Sequence, residues 1–327
     1  MDRLPETVVT LYAELLDQCI RAEHEAPGSF VSKNVRGATY WYFQQTNGPE
    51  RRQTYLGRET PELRRMMEEK ASARAERRPD EQRRRELVRM LAAGGARRVS
   101  APVAQVLSIL GEAGVFHVGG VLVGTQAFAC YETMLGVRLE ERFLRTADID
   151  IAIDVAMPEK ETDLPAALKR IEPRFFAVPE LDPRKPSTSM KVRGRDLRVD
   201  FLTTARPRQS EDPVPVPRFR IAATPLRGIA YLIEEPAPAA VIGGNGILVN
   251  VPSPARFAFH KLWVARERPV SEQAKARKDI AQAAELLTIL ADDRPDDIEH
   301  AWRTLPSSMQ RRIRMSALPE EARDLVG

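Results

Sequence analysis

A chain of 327 residues with 43% hydrophobic and 29% charged side chains has the make-up of a folded globular protein, and at this length of more than one structural unit. No run approaches the ~18 apolar residues of a membrane span, and four acids lie among the first nineteen residues, where a secretory signal would be apolar; a cytoplasmic protein without a membrane anchor is expected. The net charge of +4 is unevenly spread, because residues 51–98 hold fifteen Lys/Arg against eight Asp/Glu, which leaves the rest of the chain slightly acidic. Two cysteines, Cys19 and Cys130, are too few for a disulfide framework, and the four histidines are scattered. Any metal would have to rest on carboxylates.

Leu11, Leu15, Leu16 and Ile20 recur at helical spacing and predict a helix over residues 3–22 that packs on the next segment of the chain. From Phe30 to Leu56 the pattern becomes three strands, FVSKNV, ATYWYFQQT and RQTYLG, separated by Arg36-Gly37 and Asn47-Gly48-Pro49. This meander mixes Tyr40, Trp41, Tyr42, Phe43 and Tyr55 with Lys33, Arg36, Arg51, Arg52 and Arg58. Such a surface could stack unpaired bases over a basic groove. It could equally be the aromatic core of a very small sheet, and its free strand edges leave a homodimer contact open.

Thr60-Pro61-Glu62 reads as a helix start, with a capping hydroxyl, proline in the first turn and an acid near the positive end of the dipole. Pro79 is expected to interrupt this helix and Gly94-Gly95 to end it. Between Glu68 and Glu86 alanine supplies the apolar side chains, so the pair of helices reads as a solvated basic arm.

From Val99 the pattern is that of a mixed α/β (α+β) domain. A helix near Ala101 to Ala113, the strand VGGVLVG, the helix TQAFACYETML and the strand DIDIAID are succeeded by a helix near Leu164 to Ile171 and the strands MKVRG and LRVDFLT. The proline-dense RPRQSEDPVPVPRF reads as an extended connector holding a domain boundary. A strand pair, AAVIGG and GILVNV, helices over about 254–266 and 272–290, and a helical tail complete the chain. The expected division is 1–58, helix and meander; 59–98, basic arm; 99–210, the core that carries the chemistry; and 211–327, a mostly helical domain.

The chemistry centres on Asp148-Ile149-Asp150, two acids at i and i+2 on an apolar strand. Alternation points both carboxylates the same way, about 6.6 Å apart, a spacing that suits two cations roughly 3.5–4 Å apart. An acid-x-acid tripeptide is common, and two further features give this one weight. The strand VLV runs through Gly124-Thr125 straight into a helix, leaving backbone N–H groups and a hydroxyl at the positive end of a helix dipole, a cradle for an anion. In Leu197-Arg198-Val199-Asp200-Phe201-Leu202 a single acid sits on another apolar strand, which could lie beside the first. His260 is expected to be packed, and Asp154 to be solvated at a strand end.

Taken in this order, Gly124-Thr125, Thr146-Ala147-Asp148-Ile149-Asp150 and Val199-Asp200-Phe201 resemble the glycine-plus-hydroxyl, D-x-D and third-acid pattern of the DNA polymerase beta-like nucleotidyltransferase superfamily. VLVGTQAFACYETMLGVRL with TADIDIAID is similar to a branch of bacterial nucleotidyltransferase-like proteins, and VNVPSPARFAFHKLWVARER with KARKDIAQA resembles the C-terminal helical segment of that branch. The resemblance covers roughly residues 99 to 290. It implies a nucleotidyltransferase fold, a mixed sheet flanked by helices. It also implies an enzyme that moves a nucleoside monophosphate from a nucleoside triphosphate, ATP among the candidates, to an acceptor hydroxyl or phosphate with release of pyrophosphate.

Carried over residue by residue, the resemblance has Gly124 and Thr125 hold the triphosphate and Asp148 and Asp150 bind two Mg²⁺ ions, for which Mn²⁺ could substitute. Asp200 would bind the second ion and help deprotonate the attacking hydroxyl. Lys261, and Lys278 within Arg277-Lys278-Asp279, would lie near the phosphates; ordinary charges on a helix pair explain them equally. Threonine stands where the superfamily most often has serine. Two readings stay open: a transferase whose acceptor is RNA, such as tRNA held by the basic N-terminal third, or else a protein or an aminoglycoside, and a non-catalytic nucleic-acid-binding or toxin–antitoxin component on a transferase scaffold.

Overall fold

In chain order the N-terminal elements of the computed structural model are α1 (Glu6–Glu23), β1 (Ser29–Val35), β2 (Ala38–Asn47), β3 (Glu50–Arg58), α2 (Pro61–Ala93) and α3 (Ala101–Glu112). Then come β4 (Val121–Val123), α4 (Gly124–Met134), β5 (Asp148–Ala152), α5 (Leu164–Ile171), β6 (Phe175–Ala177), β7 (Ser189–Val192) and β8 (Arg198–Thr204). After β9 (Val214–Val216), β10 (Ile221–Leu226) and α6 (Ile229–Ile233), a hairpin of β11 (Ala237–Val241) and β12 (Ile247–Val251) leads into the last helices. These are α7 (Pro254–Glu267), α8 (Gln273–Asp293), α9 (Pro295–Thr304), α10 (Ser307–Gln310) and α11 (Glu320–Val326). The structure describes residues 2–23, 29–35, 38–47, 50–144, 146–154, 162–205, 212–313 and 318–326. Among them no helix is long and apolar enough to cross a membrane.

The main sheet is mixed, in the order β4-β5-β8-β10-β9, with β7 on β8 and β6 on β7, and helices flank it, as the α+β reading expected. β4 is antiparallel to β5, β5 parallel to β8, and β8 parallel to β10. Alternation sends Ile149, Ile151, Val199 and Phe201 into the core, each at most 1% exposed, and leaves Asp148, Asp150, Arg198 and Asp200 on the other face.

Helix α4 is fastened by aromatic packing. Phe128 stacks on Phe257 of α7 at 6.0 Å and meets Phe143 edge-on at 6.4 Å, while Tyr131 lies 5.3 Å from Phe257 and donates its hydroxyl to the Pro252 carbonyl at 2.9 Å. Burying such rings contributes roughly 2–3 kcal/mol each, and the ring pairs add about 0.5–1.5 kcal/mol. This clamp ties the helix that begins at Gly124 to the helix that carries Lys261.

The structure departs from the sequence expectations at several points. Helix α2 runs unbroken from Pro61 to Ala93 through Pro79, so the arm is one helix and not a pair; proline removes a single i→i−4 bond, and the helix continues on either side. Helix α1 packs not on the meander but on the end of α2 and on the hairpin: Leu4, Val8, Tyr12, Leu15 and Cys19 share a cluster with Leu87, Val88, Leu91, Ala240 and Ile242. The division expected at 210/211 cuts through the main sheet, because β9 and β10 continue it, and one hydrophobic core runs from Val103 to Ala322. Pro215, read as part of a connector, lies in the edge strand β9, where a missing N–H faces away from any partner strand.

The meander forms as a three-stranded antiparallel sheet. Lys33 sits 4.6 Å over the Tyr42 ring, and the Trp41 indole donates to Glu59 at 3.2 Å, so part of the aromatic and basic mixture is engaged internally. The side chains of Phe43, Tyr55, Arg36, Arg51 and Arg52 lie outside the described residues.

Truncating the centre of the clamp tests this account. Phe128→Ala is expected to destabilise the chain by about 3–5 kcal/mol in urea unfolding, whereas an unchanged midpoint would mean that α4 is held by other contacts.

Candidate active site

The pairing of β5 with β8 places Asp150 opposite Asp200 and Asp148 opposite Arg198. Adjacent strands lie ~4.8 Å apart, so the three acids foreseen in the sequence share one small patch of one face. Asp148 is exposed, and Asp150 and Asp200 are half-buried. Asp200 is oriented by two groups: Arg198 donates from Nε to its Oδ1 at 2.8 Å, and Ser189 of the adjoining strand donates its hydroxyl to the same oxygen. Arg198 also donates to Ser189 Oγ at 2.8 Å, closing a small ring of bonds.

The chain reaches Asp148 through a braced turn. The Asp148 N–H donates to Thr146 Oγ1 at 3.1 Å, and Gln126 Nε2 donates to the Thr146 carbonyl at 3.1 Å, so the first turn of α4 fixes the approach to the acids.

Val123 pairs with Asp150 across the sheet, and the next residue, Gly124, starts α4 with a φ of +66°. A Cβ at this position would stand 2.1 Å from Asp150 Oδ2. Glycine is required twice over, for the left-handed backbone and for the close approach. Val123 offers no capping oxygen, and no side chain caps this helix. The amides of the first turn and the half-buried Thr125 therefore lie beside the acids, at the positive end of the α4 dipole.

Burial pushes the Asp150 carboxyl up to about 6, and the neighbouring Asp200 and Asp148 charges push the same way; Lys261 and Arg198 oppose them. Lys261 thus acts on the acid cluster from α7. Its ammonium donates to Asp279 Oδ1 at 2.7 Å, and Arg268 Nε donates to Asp279 Oδ2 at 2.6 Å, with Asp279 only 3% exposed. Lys278 is half-buried beside this group, and burial together with the charge of Lys261 lowers its pKa. His260 is packed, as expected: burial and the Lys261 charge push its imidazole down to about 3, which keeps it neutral.

The structure therefore brings together Gly124, Thr125, Asp148, Asp150 and Asp200, places Lys261 within electrostatic reach, and sets Lys278 beside Lys261. An open cleft of ≈ 580 Å³ lies over the patch, lined by Thr146, Ala147, Asp148, Lys191, Asp196, Arg198 and Asp200. That size is within the ~300–1,000 Å³ of small-molecule sites. Sequence reasoning passed over Arg198, Ser189 and Asp279 as site residues. Arg198 was within reach of it, since it precedes Asp200 by two and must share its face; Ser189 and Asp279 depend on pairings that only the fold reveals.

Among the described residues no group of three or more His, Cys, Asp or Glu side chains is already arranged to hold a metal ion. Arg198 and Ser189 occupy Oδ1 of Asp200. The donor set is nevertheless all carboxylate oxygen, which suits a hard cation such as Mg²⁺, and the crowding that raises Asp150 is what such a cation relieves.

Comparison with known proteins adds one positive finding. A family model described as Nucleotidyltransferase matches residues 101–307, a span that holds every residue of the site and leaves the meander and arm outside. No curated protein and no solved structure matches the chain.

The raised carboxyl makes a stability prediction of definite sign. The folded chain holds a proton on Asp150 up to about pH 6, whereas the unfolded chain releases it near ~3.9, so the ionised group costs stability above that window. With chelator present, Asp150→Asn is expected to be more stable than wild type at about pH 7.5, by on the order of 2 kcal/mol, and the gain to fade as the pH falls toward ~4. Equal or lower stability of the variant at the higher pH, read by thermal unfolding, would contradict the crowded-carboxylate description.

Proposed function

The chain belongs to the nucleotidyltransferase family, and from that premise we propose that it is a cytoplasmic, Mg²⁺-dependent enzyme that moves a nucleoside monophosphate from a nucleoside triphosphate to an RNA acceptor. The observation that carries the reading is the meeting of three carboxylates on one sheet face with the bare backbone turn at Gly124.

The α4 amides and Thr125 receive the triphosphate, with Lys261 countering its charge from the other side under the hold of Asp279. Asp148, Asp150 and Asp200 are the residues that would hold the cations. When bound, these would neutralise the triphosphate and ease ionisation of the attacking hydroxyl. Arg198 and Ser189 fix the orientation of Asp200 through its Oδ1.

In the transfer, the acceptor oxygen bonds to the α-phosphorus while the bridging P–O bond opposite breaks. The hydroxyl proton passes to Asp200, and pyrophosphate leaves with the electron pair. No covalent enzyme intermediate is needed, which agrees with two buried thiols and a neutral, packed His260.

Support for a polyanionic acceptor comes from the arm. Arg83 and Arg64 are paired with Glu14 and Glu59, whereas Arg65 and Arg89 on the arm and Arg98 just beyond it present exposed charge.

A transfer assay with four α-labelled nucleoside triphosphates against total tRNA, total protein and an aminoglycoside panel tests the proposal. Label is expected in the RNA pool with wild type and to fall at least about 10³-fold with Asp148→Asn/Asp150→Asn. Label in the protein or aminoglycoside pool would move the acceptor class, and transfer by the double variant would remove the acids from the chemistry. Lys261→Ala and Asp279→Asn are expected to raise KM for the nucleotide about tenfold with a smaller change in kcat.

A further inference from the structure

A second pocket, lined by residues of α3, α4 and the hairpin, adjoins the acid cleft at Thr146, which lines both and accepts a hydrogen bond from Gln126. Its volume is ≈ 240 Å³, well above the ~150 Å³ that accommodates a benzene ring, so a heterocycle fits. Val103 of α3, Ala129 of α4 and Val241 of the hairpin give it apolar walls. Its mouth is polar and basic. Arg97 is held loosely by the buried Glu132 at 3.4 Å, Arg98 is exposed and makes no ion pair among the described residues, and the Ser100 hydroxyl makes no capping bond to the helix it precedes. These residues stand at the foot of the basic arm, which ends at Ala93.

We propose that this pocket seats the terminal nucleotide of the acceptor strand, with its base between Val103, Ala129 and Val241 and its phosphate on Arg98 and Ser100. The inference rests on the transferase reading with an RNA acceptor and adds the place where the strand ends. A base in the pocket brings its ribose to Thr146, the residue shared with the cleft, and so turns the terminal hydroxyl toward Asp148 and Asp200. Neither Gly124 nor Thr125 lines the pocket, so the triphosphate and the acceptor end have separate seats that meet at Thr146. Arg98 supplies a guanidinium contact to the phosphate, apart from the apolar walls that hold the base.

The test uses the full chain and three probes: an RNA tetranucleotide ending in 2-aminopurine, the same RNA ending in an abasic ribose, and AMP. Wild type is expected to change the 2-aminopurine emission and to bind the abasic RNA about tenfold more weakly. Ala129→Leu fills the pocket on a half-exposed helix position; it is expected to bind both RNAs equally weakly while its affinity for a Mg²⁺-bound, non-hydrolysable nucleoside triphosphate stays within about twofold. Arg98→Ala, on an exposed side chain, is expected to weaken both RNAs and lower the salt slope by about one while preserving the preference for a terminal base.

Equal binding of the two RNAs by wild type overturns the proposal. So does a loss of triphosphate affinity in Ala129→Leu, which would assign the pocket to the donor's own base, and so does AMP binding as tight as the RNA, which would assign it to a free nucleotide. Triphosphate binding by wild type is read separately in the same experiment, so a failed pocket and a failed transferase are told apart.

Discussion

The parallel pairing of β5 with β8 sets Asp150 against Asp200, and the rest of the site is shaped by having to live with that register. Three carboxylates then share a face, and burial drives the Asp150 carboxyl up to about 6. The fold offsets the crowding with cations from two directions. Arg198 stands two residues before Asp200 on its own strand, and Lys261 reaches in from α7. Against Asp150 the chain brings a residue with no side chain at all, because any Cβ at Gly124 would collide with the carboxylate. A negative patch beside a helix start that no side chain caps, with Arg198 and Lys261 as its nearby cations, is where a divalent cation and a polyphosphate gain by entering.

The aromatic clamp makes the C-terminal helices part of the site and not an appendage to it. Phe257, packed on Phe128 and Tyr131, lies on the same helix as Lys261, and Asp279 on α8 receives both Lys261 and Arg268. The position of the lysine thus depends on a buried carboxylate eighteen residues further along, and the position of the carboxylate on how α8 packs against α7. The core that secures this runs without interruption from Val103 to Ala322, across the place where proline density suggested a boundary.

What could be read in the sequence was local. Alternation alone put Asp148 and Asp150 on one side, and a strand running through glycine into a helix announced the turn at Gly124. Long, strongly patterned helices such as α3, α4 and α7 were legible for the same reason. Asp200 could be singled out as an acid on an apolar strand, but its seat opposite Asp150 is a non-local pairing that no spacing encodes. Ser189 and Asp279 belong to the site through contacts of the same non-local kind. Two misreadings share another cause, the treatment of proline as punctuation. Pro79 sits inside a continuous helix, which gives up one i→i−4 bond there, and Pro215 inside an edge strand, which pairs on one side only. Helix α1 was foreseen with the wrong partner, the next segment of the chain, where the structure pairs it with the end of α2 and the hairpin strand β11. The second of these lies more than two hundred residues away, as the bond from the Ala240 N–H to the Tyr12 hydroxyl at 3.2 Å illustrates.

The central claim is that Asp148, Asp150 and Asp200 act together on divalent cations beside the Gly124 turn. The most direct measurement is an electron paramagnetic resonance titration with Mn²⁺ in the presence of a non-hydrolysable nucleoside triphosphate, on wild type and on single Asp→Asn variants at 148, 150, 200 and 154. The account predicts bound Mn²⁺ that weakens at least about tenfold with each of the first three changes and holds its affinity with Asp154→Asn. Mn²⁺ binding indifferent to Asp150→Asn, or lost equally with Asp154→Asn, would contradict it.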